Sequence, residues 1–227
     1  MSAVEKGLTA AERSEHTYRE LGAFGATGRR RINEAGRALL EHGVLSASRS
    51  YNAGIRVPGE EKFVLGGFTA TGEADAPAAI VGFDGTYYEG KFKKNHLELL
   101  EVYAAIFRER PDVNAAIHTH SPYIEGFAFA HRELPIVFGD DLGRITRAPI
   151  PLVPWEPRYS AGTITQAVAR SPSAPAVIIA NHGPFFWGRE LEDVVDLIIA
   201  LEDNAHIATK AQVLLGSQSF THSSERS

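Results

Sequence analysis

Two histidines one residue apart, His118 and His120, close the apolar run Asn114-Ala115-Ala116-Ile117 and stand just before Ser121-Pro122. On a β-strand, side chains two apart project to the same side. Both imidazoles therefore converge on one point while Thr119 faces away. A second apolar, β-branched run, Ala176-Val177-Ile178-Ile179-Ala180, ends in Asn181-His182-Gly183-Pro184 and offers a third imidazole. Neutral imidazole is the commonest protein ligand for zinc and similar divalent ions, and three protein ligands with one open position is the catalytic arrangement. A single one of the nine histidines would ordinarily be a surface or satisfied core residue. Two strand tips delivering three of them predict one divalent cation held by His118, His120 and His182.

Composition narrows the chemistry. There is no cysteine, which excludes a disulfide framework and a thiolate site and leaves His, Asp and Glu as ligands. That suits hydrolytic, lyase or isomerase chemistry better than a structural zinc. A net charge of -5 and the lack of a dense basic run give no case for nucleic acid or an anionic membrane as partner. No window approaches 18 uninterrupted apolar residues, so no membrane span is expected. The first 17 residues are polar, without a secretory apolar core, and a cytoplasmic location is the default expectation. With 227 residues, 44% of them hydrophobic, the chain can bury one sizeable core.

The elements that must carry the histidines follow from periodicity. Residues 1–28 read as an N-terminal extension able to open a helix, 29–216 as one domain, and 217–227 as a Ser-rich flexible tail. Ile32, Ala35, Leu39 and Leu40 mark a helix over 29–42 that Gly43 ends. Strands are expected at 51–58, 62–68 and 79–83, the last turned by Asp84-Gly85 into 86–90. Leu97, Leu100, Tyr103, Ala104 and Phe107 mark a helix over 96–109 that Pro111 stops. After the first histidine strand, Ser121 and Pro122 read as N-cap and first residue of a helix to about 131. Short strands at 135–138 and 150–153, a helix over 163–170, the second histidine strand and a long helix over 190–215 complete the chain. The expected fold is a single-domain layered α/β/α structure with helices on both faces of a mixed, largely antiparallel sheet.

Arg110-Pro111-Asp112-Val113, running into His118-Thr119-His120-Ser121, then Gly162-Thr163, then Asn181-His182-Gly183, resembles the class II aldolase/adducin family over about residues 29–216. The resemblance implies a class II aldolase-like fold, and a divalent ion, usually zinc with manganese, iron or cobalt as alternatives, on His118, His120 and His182. It also implies a homotetramer with active sites near subunit boundaries. For a phosphorylated substrate it points to Asn52, to Thr71 and Gly72 of the loop Thr69-Ala70-Thr71-Gly72, and to Lys94 and Asn95. The family's Ser-Ser-acid segment is altered. Counting forward from Gly90 places His96 on the acidic, proton-moving position, whereas counting back from Pro111 places Leu99 there, and Glu98 and Glu101 are the neighbouring carboxylates.

The reading that results is a divalent-metal-dependent lyase cleaving a C–C bond through a metal-stabilised enolate, of aldolase type, on a small keto-sugar phosphate. The alternative, which the altered phosphate elements would suit, is a metal-dependent decarboxylase of a non-phosphorylated hydroxy or aromatic acid. An epimerase and a non-catalytic adducin-like module are further alternatives. Among other residues, Asp140-Asp141 reads as an exposed turn, and His206 with Glu202 and Lys210 as a surface or interface network. Trp155 and Tyr159 read as pocket or packing residues, and His131 as a helix C-terminal imidazole.

Overall fold

The computed structural model describes residues 22–67, 77–90, 99–138, 146, 148–154 and 161–216. In chain order these form α1 (Ala23–Glu41), β1 (Tyr51–Arg56), β2 (Lys62–Gly67), β3 (Ala78–Gly82), β4 (Tyr87–Gly90) and α2 (Leu99–Glu109). There follow β5 (Ala115–Thr119), α3 (Pro122–Phe129), β6 (Leu152–Val153), α4 (Ala161–Arg170), β7 (Ala176–Ile179), β8 (Pro184–Gly188) and α5 (Leu191–Leu215). The eight strands make one sheet in the order β4-β3-β2-β1-β5-β8-β7-β6. Every neighbouring pair is antiparallel except β6 with β7.

Strand alternation explains the three layers. Val64, Ile117, Ile178 and Phe186 pack on one side with Ile32 and Leu39 of α1 and Val194, Ile198 and Leu201 of α5. Their strand neighbours Phe63, Leu65, Ala116, Val177, Phe185 and Trp187 pack on the other with Tyr103 and Phe107 of α2 and Ile164 and Val168 of α4. A sheet apolar on both faces has to be covered on both, and the expected helix–sheet–helix sandwich with a mixed, largely antiparallel sheet is what forms.

Four local readings are corrected. α1 begins six residues earlier than 29, its first turns being buried at Gly25 and Gly28 rather than at large apolar markers. A Cβ at Gly28 would sit 3.0 Å from Val64, and one at Gly36 2.1 Å from the Tyr51 ring, so side chains would push the helix off the sheet. Residues 135–138 form no strand. Asn204 of α5 replaces the missing ladder: its Oδ1 accepts the N–H groups of Val137 and Phe138 and its amide donates to Pro135 O. β8 was not foreseen at all, yet it lies between β5 and β7 in the middle of the sheet. Its opening proline is tolerated at the first strand position. Ser121 holds the N-cap position of α3 but makes no capping bond, its hydroxyl pairing with Thr119 Oγ1 at 2.7 Å.

Candidate metal centre

β5 brings His118 to the middle of the sheet, opposite Asn52 of β1 and Phe185 of β8. The imidazole is 2% exposed and stacks on Phe185 with ring centroids 4.4 Å apart. Its Nδ1 lies 2.8 Å from the carbonyl oxygen of Pro184. A carbonyl only accepts, so Nδ1 carries the proton and Nε2 the lone pair.

His120 stands one residue past the end of β5, on the same side. Its Nδ1 meets Oε1 of Glu125 at 2.5 Å. Glu125 sits in the first turn of α3, which Pro122 opens two residues after His120. A carboxylate behind one ring nitrogen fixes the tautomer and turns the other nitrogen toward the ligand side, as in carboxylate–histidine–metal arrangements.

The third imidazole stands in the turn joining β7 to β8. Asn181 adopts a left-handed φ of 56°, its N–H donates to Ala128 O at 3.2 Å, and its Oδ1 accepts from Nε2 of His131 at 2.9 Å. The turn closes with His182 N–H on Ile179 O. Gly183 follows where a Cβ would come within 2.8 Å of Thr119 O and 3.4 Å of His118 Cε1. Only glycine lets this turn approach the tip of β5 so closely.

The three rings converge as expected. Their centroids are 4.9 to 5.0 Å apart, with His118 and His182 16° from parallel and His120 steeply inclined to both. Nε2 of His118 and Nε2 of His182 are 3.1 Å apart, and one ligand atom from each of the three lies within 4.8 Å of the others. Nitrogens around a tetrahedral zinc at Zn–N of 2.0–2.1 Å are spaced by about 3.3 Å. The donor set, the His118 tautomer and the carboxylate behind His120 fit a divalent cation. Among the described residues no other group of His, Asp and Glu clusters in this way.

Of the remaining candidates, Asn52 is 3% exposed beside His118. The Tyr103 hydroxyl lies 2.8 Å from its main-chain oxygen and 2.7 Å from its Oδ1. Burial holds the Tyr103 phenol neutral, well above its usual range. Glu101 is exposed in the first turn of α2 and is not part of the histidine cluster. Thr71, Gly72, Lys94, Asn95, His96 and Glu98 lie outside the described residues, as do Asp140, Asp141, Trp155 and Tyr159. Glu125 was missed, although its signal was present: a carboxylate five residues after His120, in the first turn of a helix that Pro122 starts. The reading of His206 and Glu202 as a surface or interface network is corrected for Glu202, which is not at the surface. Glu202 is 5% exposed and bonded to α3, and His206 stacks on Tyr123 at 4.0 Å.

Comparison with known proteins follows the same lines. The family described as "Class II Aldolase and Adducin N-terminal domain" matches residues 30–209. L-ribulose-5-phosphate 4-epimerase UlaF of Salmonella paratyphi B, and equally that of Salmonella typhi, is 23% identical over 139 residues, which is 57% of this chain and 60% of that protein. The chain thus spans about three-fifths of the length of these curated relatives. Among solved structures, L-fuculose 1-phosphate aldolase from Glaciozyma antarctica PI12 superposes with a TM-score of 0.67 at 22% identity, covering 95% of this chain and 84% of that one. A sugar-phosphate aldolase from Thermotoga maritima gives 0.65 at 18%, covering 85% and 97%. At these identities the structural likeness shows the fold, and the match over residues 30–209 shows the lineage: the chain belongs to the class II aldolase and adducin N-terminal domain family.

Proposed function

We propose that the protein is a divalent-metal-dependent lyase of the aldolase type, breaking a C–C bond next to a carbonyl in a small keto-sugar phosphate. The observation that carries this reading is the convergence of His118, His120 and His182, with the tautomer of His118 set by Pro184 and that of His120 by Glu125. A divalent ion bound there supplies Lewis-acid polarisation of a substrate oxygen. The chain's own residues do the rest. His118, walled by Phe185 and the sheet, keeps one side of the site dry. Asn52, whose oxygens face the Tyr103 hydroxyl, offers its amide to a substrate or phosphate oxygen. His96, Glu98 or Glu101 moves the proton, and Thr71, Gly72, Lys94 and Asn95 complete the phosphate-binding set. Zinc is the proposed ion and a homotetramer the proposed assembly.

Epimerisation is the second reading, favoured by the epimerases among the sequence relatives. Cleavage of a C–C bond followed by its re-formation on the opposite face of the aldehyde gives an epimer without net release. Zinc-loaded protein incubated with a panel of ketose and pentulose phosphates separates the two. Release of an aldehyde that needs the histidines supports the lyase, and an inverted carbinol with no release supports the epimerase. Carbon dioxide from a non-phosphorylated hydroxy acid, with sugar phosphates untouched, overturns both in favour of a decarboxylase.

A further inference from the structure

α3 touches both ligand-bearing segments. It begins two residues after His120 and carries Glu125 behind that ring, and its Ala128 carbonyl accepts the N–H of Asn181 in the turn that holds His182. The placement of this eight-residue helix therefore sets how the three imidazoles meet. Its first turn has amide groups that need acceptors, and the residue in position to supply one does not: Ser121 is turned to Thr119.

The acceptor comes from α5. Oε1 of Glu202 takes the N–H of Tyr123 at 2.7 Å and Oε2 takes that of Ile124 at 3.0 Å. One helical turn further along α5, His206 stacks on the Tyr123 ring at 4.0 Å. Glu202 is 5% exposed between Leu201 and Ala205, both fully buried. Two separate carboxyl oxygens on two adjacent N–H groups fix α3 in rotation as well as in position.

Resting on the metal reading above, we propose that Glu202 is a positioning residue of the metal centre: reaching from α5, it pins the first turn of α3 so that Glu125 stays behind His120 and the His182 turn stays docked. Glutamine at 202 keeps one acceptor but sets an amide against the second N–H, so α3 shifts while the core keeps its volume.

The test uses cobalt(II) as probe on the full chain, reading affinity by chelator competition and coordination by the visible spectrum. Glu202→Gln is expected to bind cobalt about tenfold more weakly with an altered spectrum, the size of effect outer ligand partners exert. Glu125→Gln is expected to lose at least as much, and the double variant less than the product of the two losses, because both act in part through the contact of Glu125 with His120. Val168→Ala, a buried truncation in α4 on the opposite face, controls for general loss of stability and is expected to leave affinity and spectrum unchanged. Should Glu202→Gln not fold, Glu202→Asp, which keeps the charge but is one methylene shorter, is read the same way. Wild-type affinity and spectrum in the 202 variant, or an equal loss in Val168→Ala, overturn the positioning role. A folded wild type that takes up no cobalt overturns the metal reading itself and is recognised before any variant is made.

Discussion

Nδ1 of His118 donates to the carbonyl oxygen of Pro184 across the junction of β5 and β8, 2.8 Å away. That one bond decides which nitrogen of a nearly fully buried imidazole faces the centre. It also makes β8, a strand with no ligand of its own, part of the machinery.

Glu125 does for His120 what Pro184 does for His118, from a position in partial contact with water. Glu125→Gln is expected to leave the fold intact and weaken divalent-metal affinity by about 10- to 100-fold. Chelator competition with zinc measures it. An unchanged affinity would mean that the short contact with His120 does not act on the ligand.

Gly183→Ala places a Cβ 2.8 Å from Thr119 O, a backbone atom that cannot swing aside. The expected cost is about 1–3 kcal/mol of stability, together with weaker metal binding as the His182 turn withdraws from β5. Thermal unfolding with and without metal checks both halves.

Burial pushes the Glu202 carboxyl up to about 7, outweighing the two N–H groups that favour its charge; nearby Glu125 adds to the rise. In the unfolded chain the group titrates near 4.3. The folded state therefore binds the extra proton between those two values, and stability is lost as pH rises through that window, on the order of 3 kcal/mol by pH 8. The melting temperature of the wild type is expected to fall more between pH 5 and pH 8 than that of Glu202→Gln. Parallel pH profiles would contradict the assignment.

Asn204 stands in for a strand partner, serving Val137, Phe138 and Pro135 with one side chain. Asn204→Ala leaves two partly buried N–H groups without their acceptor, at an expected cost of about 1–3 kcal/mol. Denaturant unfolding reads it, and metal affinity is expected to hold.

The histidine cluster was legible in the sequence because strand period specifies where side chains at 118 and 120 point, and a second apolar run ending at His182 offered the third imidazole. The layered fold was legible for the same reason: apolar residues on both strand faces demand helices on both sides. What escaped reading depends on distant partners. Pro184-Phe185-Phe186-Trp187 received no element, since only the neighbouring β5 and β7 make it a strand inside the sheet. Pro135 to Phe138 had strand-like composition, but an asparagine on α5 satisfies that backbone instead. The start of α1 was hidden by buried glycines, Gly25 and Gly28, that carry no hydrophobic signal. Glu202 looked like one carboxylate of a surface ladder, since nothing local reveals that α3 lacks its own cap.

Metal content tests the central claim most directly. Chain stripped with chelator, dialysed against zinc and analysed by elemental spectrometry is expected to hold about one ion per wild-type chain, and almost none in His118→Ala or His182→Ala with the fold retained. A folded wild type without bound zinc, manganese or cobalt, or a His182→Ala protein that still holds a full equivalent, would contradict the account.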